Sequence, residues 1–175
     1  MPRTWTIAMT GLAALVGAGR PAGSPAPAPV PVAREVAERS LRDVAVAVYD
    51  PADPVIYYNP DLMRRFSPEL RAFFMAHERA HIALRHTRSA ALGLEPGVRE
   101  QVLQGKELEA DCLAARTLGE AGQAASLAAV AFFARMGATH FDAEHPSGSA
   151  RAARILACTP IQAGLSAAAS VSRSR

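Results

Sequence analysis

The first long feature of the hydrophobic pattern is an apolar run from Trp5 to Ala18, preceded by the basic Arg3 and followed by small residues. The run is shorter than the roughly 20 residues that a spanning helix needs, so it reads as a cleaved secretory signal rather than an anchor. We expect the signal over residues 1–24, with cleavage between Ala18 and Ala26. The pattern then breaks in "PAGSPAPAPVPV", a Pro/Ala-rich stretch that predicts an extended linker over 25–33. One folded domain is expected over 34–160, and the Ser/Ala-rich tail, 161–175, reads as disordered.

Within the domain, "AREVAERSLRDV" spaces Val36, Leu41 and Val44 near one helical face and predicts a short amphipathic helix. "VAVAVYD" and "VIYYN" are β-branched and aromatic runs separated by the turn-forming "DPADP", which predicts two strands of a small sheet. A long helix follows, with Ser67 as cap, Pro68 in the first turn, Glu69 at the positive end and Gly93 as terminator. "LEPGVREQVLQG" reads as a loop, followed by helices over about 106–120, 123–136 and 148–158. The sum is an α+β domain, mostly helical, with a small sheet and no internal repeat.

Composition narrows the picture modestly. The 175 residues are half hydrophobic, enough for one core. The net charge of +3 comes from arginines spread along the chain, without the basic blocks or interleaved aromatics of a nucleic-acid surface, so no nucleic-acid partner is expected. Export would place Cys112 and Cys158 where a disulfide can persist, but their spacing does not decide whether they meet.

The candidate chemistry lies in "FFMAHERAHIALRH". On a helix His77 and His81 share a face and can hold one metal ion, while Glu78, one step round, can reach a water beside that ion as general base. So short a motif also arises by chance, and a catalytic zinc needs a third ligand. Downstream candidates are Glu95, Glu100, Glu107, Asp111, Cys112, His140 and His145. In "ELEAD", Glu107 and Asp111 share a helical face and Glu109 points away, which suits one carboxylate on the metal and a second on the outer nitrogen of a histidine. Cys112 falls about 140° round from Glu107, so both cannot face one ion; a His/His/Cys site remains the competing ligand set. His86, about 140° from His81 on a continuous helix, reads as a polar helix-end residue and not as a ligand.

"HERAHIALRH", "ELEADCLAARTLGEAG", "AVAFFARMG" and "HPSGSAR", in that order, resemble the HtpX-type metallopeptidases of the gluzincin class, over about Val44 to Ile155. That class includes integral-membrane prenyl-protein proteases and soluble periplasmic relatives. The resemblance implies a zincin-like (minigluzincin) domain with the sheet beside the active-site helix, and one Zn²⁺ held by His77, His81 and Glu107. It further implies Glu78 as catalytic base, Asp111 as the partner of His77, and His145 and Arg151 close to the active site. An alanine follows Arg151 where the family often has an aliphatic residue, and Arg154-Ile155 lies three positions later, so both arginines stand as candidates. The membrane-spanning segments of the best-known members are missing, which implies a minimal, soluble version.

The expected function is therefore that of a zinc-dependent metalloendopeptidase, hydrolysing peptide bonds through a metal-activated water with Glu78 as base. His145 is the first candidate for stabilising the oxyanion and Arg151 the alternate. The expected partner is a peptide or unfolded protein; "VIYYN" reads equally as an edge along which it adds as a strand or as plain core, and the expected location is the periplasm or the exterior, with no stable membrane span. The alternative from another class is a non-catalytic, metal-stabilised exported adaptor or chaperone-like binding module.

Overall fold

A computed structural model describes residues 32–87 and 91–160. The expected signal over 1–24, nearly all of the linker and the tail over 161–175 lie outside these residues. Three strands, β1 (Arg34–Ala37), β2 (Ala45–Val48) and β3 (Val55–Tyr58), precede five helices: α1 (Pro60–Met63), α2 (Pro68–Ala83), α3 (Pro96–Leu118), α4 (Gln123–Met136) and α5 (Gly148–Cys158). The fold is α+β, mostly helical with a small sheet.

The sheet has the order β1-β3-β2, with β1 parallel and β2 antiparallel to β3. This corrects two expectations. The segment read as an amphipathic helix contains β1, because the backbone groups along one side of β3 pair with Arg34–Ala37 and outweigh a weak apolar stripe. Asn59 then fixes the following turn, its Nδ2 donating to the carbonyls of Arg39 (3.1 Å) and Leu41 (2.8 Å). The second correction concerns "VIYYN". It forms the central strand, so it has no free edge to receive a substrate; the two edge strands are β1 and β2, and β2 lies against α2.

Helix α2 stops ten residues short of Gly93. Leu84 caps it, Arg85 adopts a left-handed conformation (φ 56°), and the amides of Arg85 and His86 donate to the carbonyls of Ile82 (3.0 Å) and His81 (2.9 Å). These are the paired bonds of a Schellman motif, built without the glycine that normally marks one in a sequence. Conversely, α3 absorbs the expected loop. Pro96 occupies its first turn, where a missing N–H costs nothing, and Gly105 is carried in the interior with nothing within 4 Å of a would-be Cβ.

The main core joins α2, α3, α4 and α5 around Phe73, Phe133 and Ile155, with Ala114, Ala115 and Ala129 as fully buried spacers. A second cluster, Ala45, Ile56, Met63 and Ile82, seals the sheet onto α2. Gly148 lets α5 start against the end of α4: a Cβ there would meet the Phe133 carbonyl at 2.4 Å and Met136 Cβ at 2.5 Å. Cys112 and Cys158 form a disulfide between α3 and α5, 46 residues apart in sequence.

That cross-link closes a long loop, so replacing both cysteines by serine is expected to lower stability by about 4 kcal/mol on the chain-entropy relation. Urea unfolding of the oxidised wild type beside the double variant measures it, and coincident midpoints would show that packing alone fixes the α3–α5 contact.

Candidate metal centre

Ser67 starts α2, its Oγ accepting from the Leu70 amide (3.2 Å), with Pro68 and Glu69 in the first turn. One helical turn separates His77 from His81, and their Nε2 atoms converge to 3.0 Å. Helix α3 crosses α2 and delivers Glu107, with Oε2 3.1 Å from His77 Nε2 and Oε1 3.2 Å from His81 Nε2. The donor atoms of the three residues lie within 4.8 Å of one another. Tetrahedral donors on an ion bonded at about 2.1 Å are separated by about 3.4 Å, so a metal fits this set with a slight spreading of the ligands.

The outer nitrogen of His77 faces Asp111: Nδ1 lies 2.9 Å from Oδ1. Asp111 is fully buried, and Arg151 grips it with two bonds, Nε to Oδ2 (2.8 Å) and Nη2 to Oδ1 (2.7 Å). The guanidinium is itself covered by the Phe133 ring, 4.1 Å from its centroid. Of the two arginines left open by the sequence, Arg151 reaches the centre, whereas Arg154 lies outside, its Nε donating to the Leu108 carbonyl (3.3 Å). Arg151 is thus committed to Asp111, with Nη2 3.9 Å from Glu107 Oε2.

His145 stands on the loop before α5. Its Nδ1 is 2.8 Å from Asp142 Oδ1, and its Nε2 points at Glu107 Oε2 from 3.9 Å. Glu78 lines the same cleft as the three donors, and its carboxylate accepts the backbone amide of Ala47 on β2. Arg79, the other charge in the motif, is exposed and paired with Glu35 of β1. A cleft of about 750 Å³ runs past His77, Glu78, His81, Glu107 and His145, between β2, α2, α3 and the loop around His145.

Burial and charge act on these groups in opposite senses. Burial disfavours an imidazolium at His77, but Asp111 and Glu107 outweigh it and raise the group from 6.5 to about 10. Burial would raise Glu107, yet His77 and His81 hold it well below the usual carboxylate range. His81 is lowered by burial and by the charge on His77, against the pull of Glu107. Glu78 is raised, chiefly by burial.

Other expectations fail or dissolve. Cys112 is no ligand, because its sulfur is bonded to Cys158. His140 Nδ1 donates to the His145 carbonyl (2.8 Å), and the ring is not among the converging donors. His86 is not among the converging donors, in line with the expectation that it is no ligand, yet it sits directly behind His81, because α2 has already ended. No sequence signal marks that end, since Arg85 replaces the expected glycine.

Residues 26–152 match the family described as "Putative metallopeptidase domain". The chain belongs to that family. The match spans every residue of the centre and begins within the stretch read as a linker. No curated protein and no solved structure matches the chain. Membership carries the coarse assignment of a metal-dependent peptidase, a hydrolase, and the His77–His81–Glu107 group is where such an ion could be held.

A prediction follows from the sign of the His77 shift. In chelator-treated protein a histidine raised from 6.5 to about 10 contributes stability that is fully present below about pH 6.5 and lost as the pH rises through 10. A divalent cation such as zinc, if held by these donors, would compete for the same position, so its binding at pH 7 should release about one proton and flatten that loss. Melting curves from pH 6 to 10 with and without zinc, and calorimetry in buffers of different ionisation enthalpy, report both. Identical curves would remove the cation from this site.

Proposed function

We propose that the protein is a zinc-dependent metalloendopeptidase of the HtpX-type gluzincin kind, acting on peptides or unfolded proteins. The observation that carries this reading is Glu78: a carboxylate raised by burial, adjacent to two converging histidines and a third donor, facing an open cleft. A structural metal has no use for such a group and favours a closed four-ligand shell, which disfavours a non-catalytic binding module. Two imidazoles and a carboxylate suit zinc.

When bound, zinc supplies a Lewis acid that acidifies water and polarises a carbonyl. Glu78 takes the proton of the attacking water at its carboxylate and delivers it to the departing amine, a role served by a carboxyl raised toward neutrality. His145, its Nδ1 donating to Asp142, turns Nε2 toward the centre, where the ring in its imidazolium form would donate to the carbonyl oxygen as charge develops there. Arg151 acts through Asp111, keeping the proton on His77 Nδ1 and the Nε2 lone pair aimed at the ion.

Substrate adds to the free edge of β2. Asn59 N donates to the Val44 carbonyl (2.9 Å), and the register then turns the backbone groups of Val44, Val46 and Val48 toward β3 and those of Ala45 and Ala47 outward, the Ala47 amide being the one that Glu78 accepts. The edge-to-face trio Phe66, Phe74 and Phe132 forms an apolar wall of the same cleft, suited to an apolar substrate side chain. We place the protein in an exported compartment on the apolar N-terminal run and the Cys112–Cys158 disulfide. Among the described residues no helix is long and apolar enough to cross a membrane.

Glu78→Gln is expected to keep one zinc per chain and to lower cleavage of casein by about 10²-fold or more, the scale of a lost general base. Zinc content by elemental analysis and digestion on the same samples test this; wild-type activity in the variant would take the base role from Glu78.

A further inference from the structure

The two histidines of the centre are held from behind in different ways. His77 Nδ1 meets a carboxylate directly, in Asp111. His81 Nδ1 lies 3.1 Å from His86 Nδ1, and His86 Nε2 lies 3.2 Å from Glu109 Oε2. The His86 side chain is only 10 % exposed, while Glu109 stands at the surface.

We infer that His86 is a positioning residue for the metal, linking His81 to Glu109 and fixing the tautomer and ring orientation of His81. The inference rests on reading His77, His81 and Glu107 as the metal ligands. Proton placement then has one solution. To offer its Nε2 lone pair, neutral His81 must carry its proton on Nδ1, so it donates to His86 Nδ1. His86 accepts there, carries its own proton on Nε2, and donates that to the Glu109 carboxylate. Both bonds run outward from the metal and end on an anion, as the single bond from His77 to Asp111 does.

The backbone is shaped to make this contact. A helix continued through residue 86 would carry that side chain about 140° away from His81. The left-handed turn at Arg85, a conformation that side chains other than glycine adopt at a steric cost, reverses the chain, and the His86 amide closes onto the His81 carbonyl. Lys106 fastens the next residue, its Nζ donating to the Thr87 carbonyl (2.6 Å) from the position adjoining Glu107. The turn holding His86 is thereby tied to the helix that supplies the third ligand.

The test is the zinc dissociation constant of the full chain, by competition with a chromophoric chelator, for wild type, His86→Phe and His86→Gln, with far-UV circular dichroism on each. His86→Phe should bind zinc about 10- to 100-fold more weakly, and His86→Gln, whose amide can accept from His81 and donate to Glu109, should return to within about threefold of wild type. Equal affinity in His86→Phe, or a loss that His86→Gln leaves unrepaired, overturns the role of His86 while leaving the metal site standing. A wild type that binds no zinc overturns the metal-site reading itself and this inference with it.

Discussion

Asp111 is a carboxylate without exposed surface, and such a group is tolerated only when charge and hydrogen bonds surround it. Arg151 reaches it from α5 with a two-pronged grip and His77 from α2 with its outer nitrogen, so a single residue of α3 ties three helices together. Each partner also needs the others. Without Asp111, Arg151 would be a buried cation under Phe133, and His77 would lose the anion that sets its tautomer. The convergence of the three donors thus rests on a charge network that the core must satisfy in any case.

Close helix packing makes that network reachable. Alanines at 114, 115 and 129 leave no bulk between α3, α4 and their neighbours, and Gly148 admits the Phe133 carbonyl where a Cβ would collide. Arg151 lies one helical turn beyond that contact, and the disulfide pins the far end of the same helix to the residue after Asp111. The sheet contributes little to the core. Its part is to set the open edge of β2 over α2, with Glu78 anchored to the Ala47 amide between them.

Much of the local structure was legible because its causes are local. The strands β2 and β3 follow from β-branched and aromatic runs around a proline-rich turn, and α4 and α5 from glycine and serine at their ends. Failures occurred where the cause was distant or unmarked. The pairing of β1 depends on a partner about twenty residues away. The extension of α3 through "LEPGVREQVLQG" runs against the breaker residues it contains, and the end of α2 lacks the glycine that would announce it. That last error alone hid His86.

For the candidate site the division is sharper. The sequence by itself determined the pairs: His77 with His81, and Glu107 with Asp111, since residues four apart on a helix must share a face whatever surrounds them. It determined as well that Glu78 adjoins the first pair without belonging to it. Only the tertiary structure decided that the two pairs face each other, that Arg151 rather than Arg154 meets Asp111, that β2 is an edge strand lying against α2, and that His86 stands behind His81. Periodicity fixes directions within one helix, whereas the crossing of two helices is settled by how side chains from both fill the space between them.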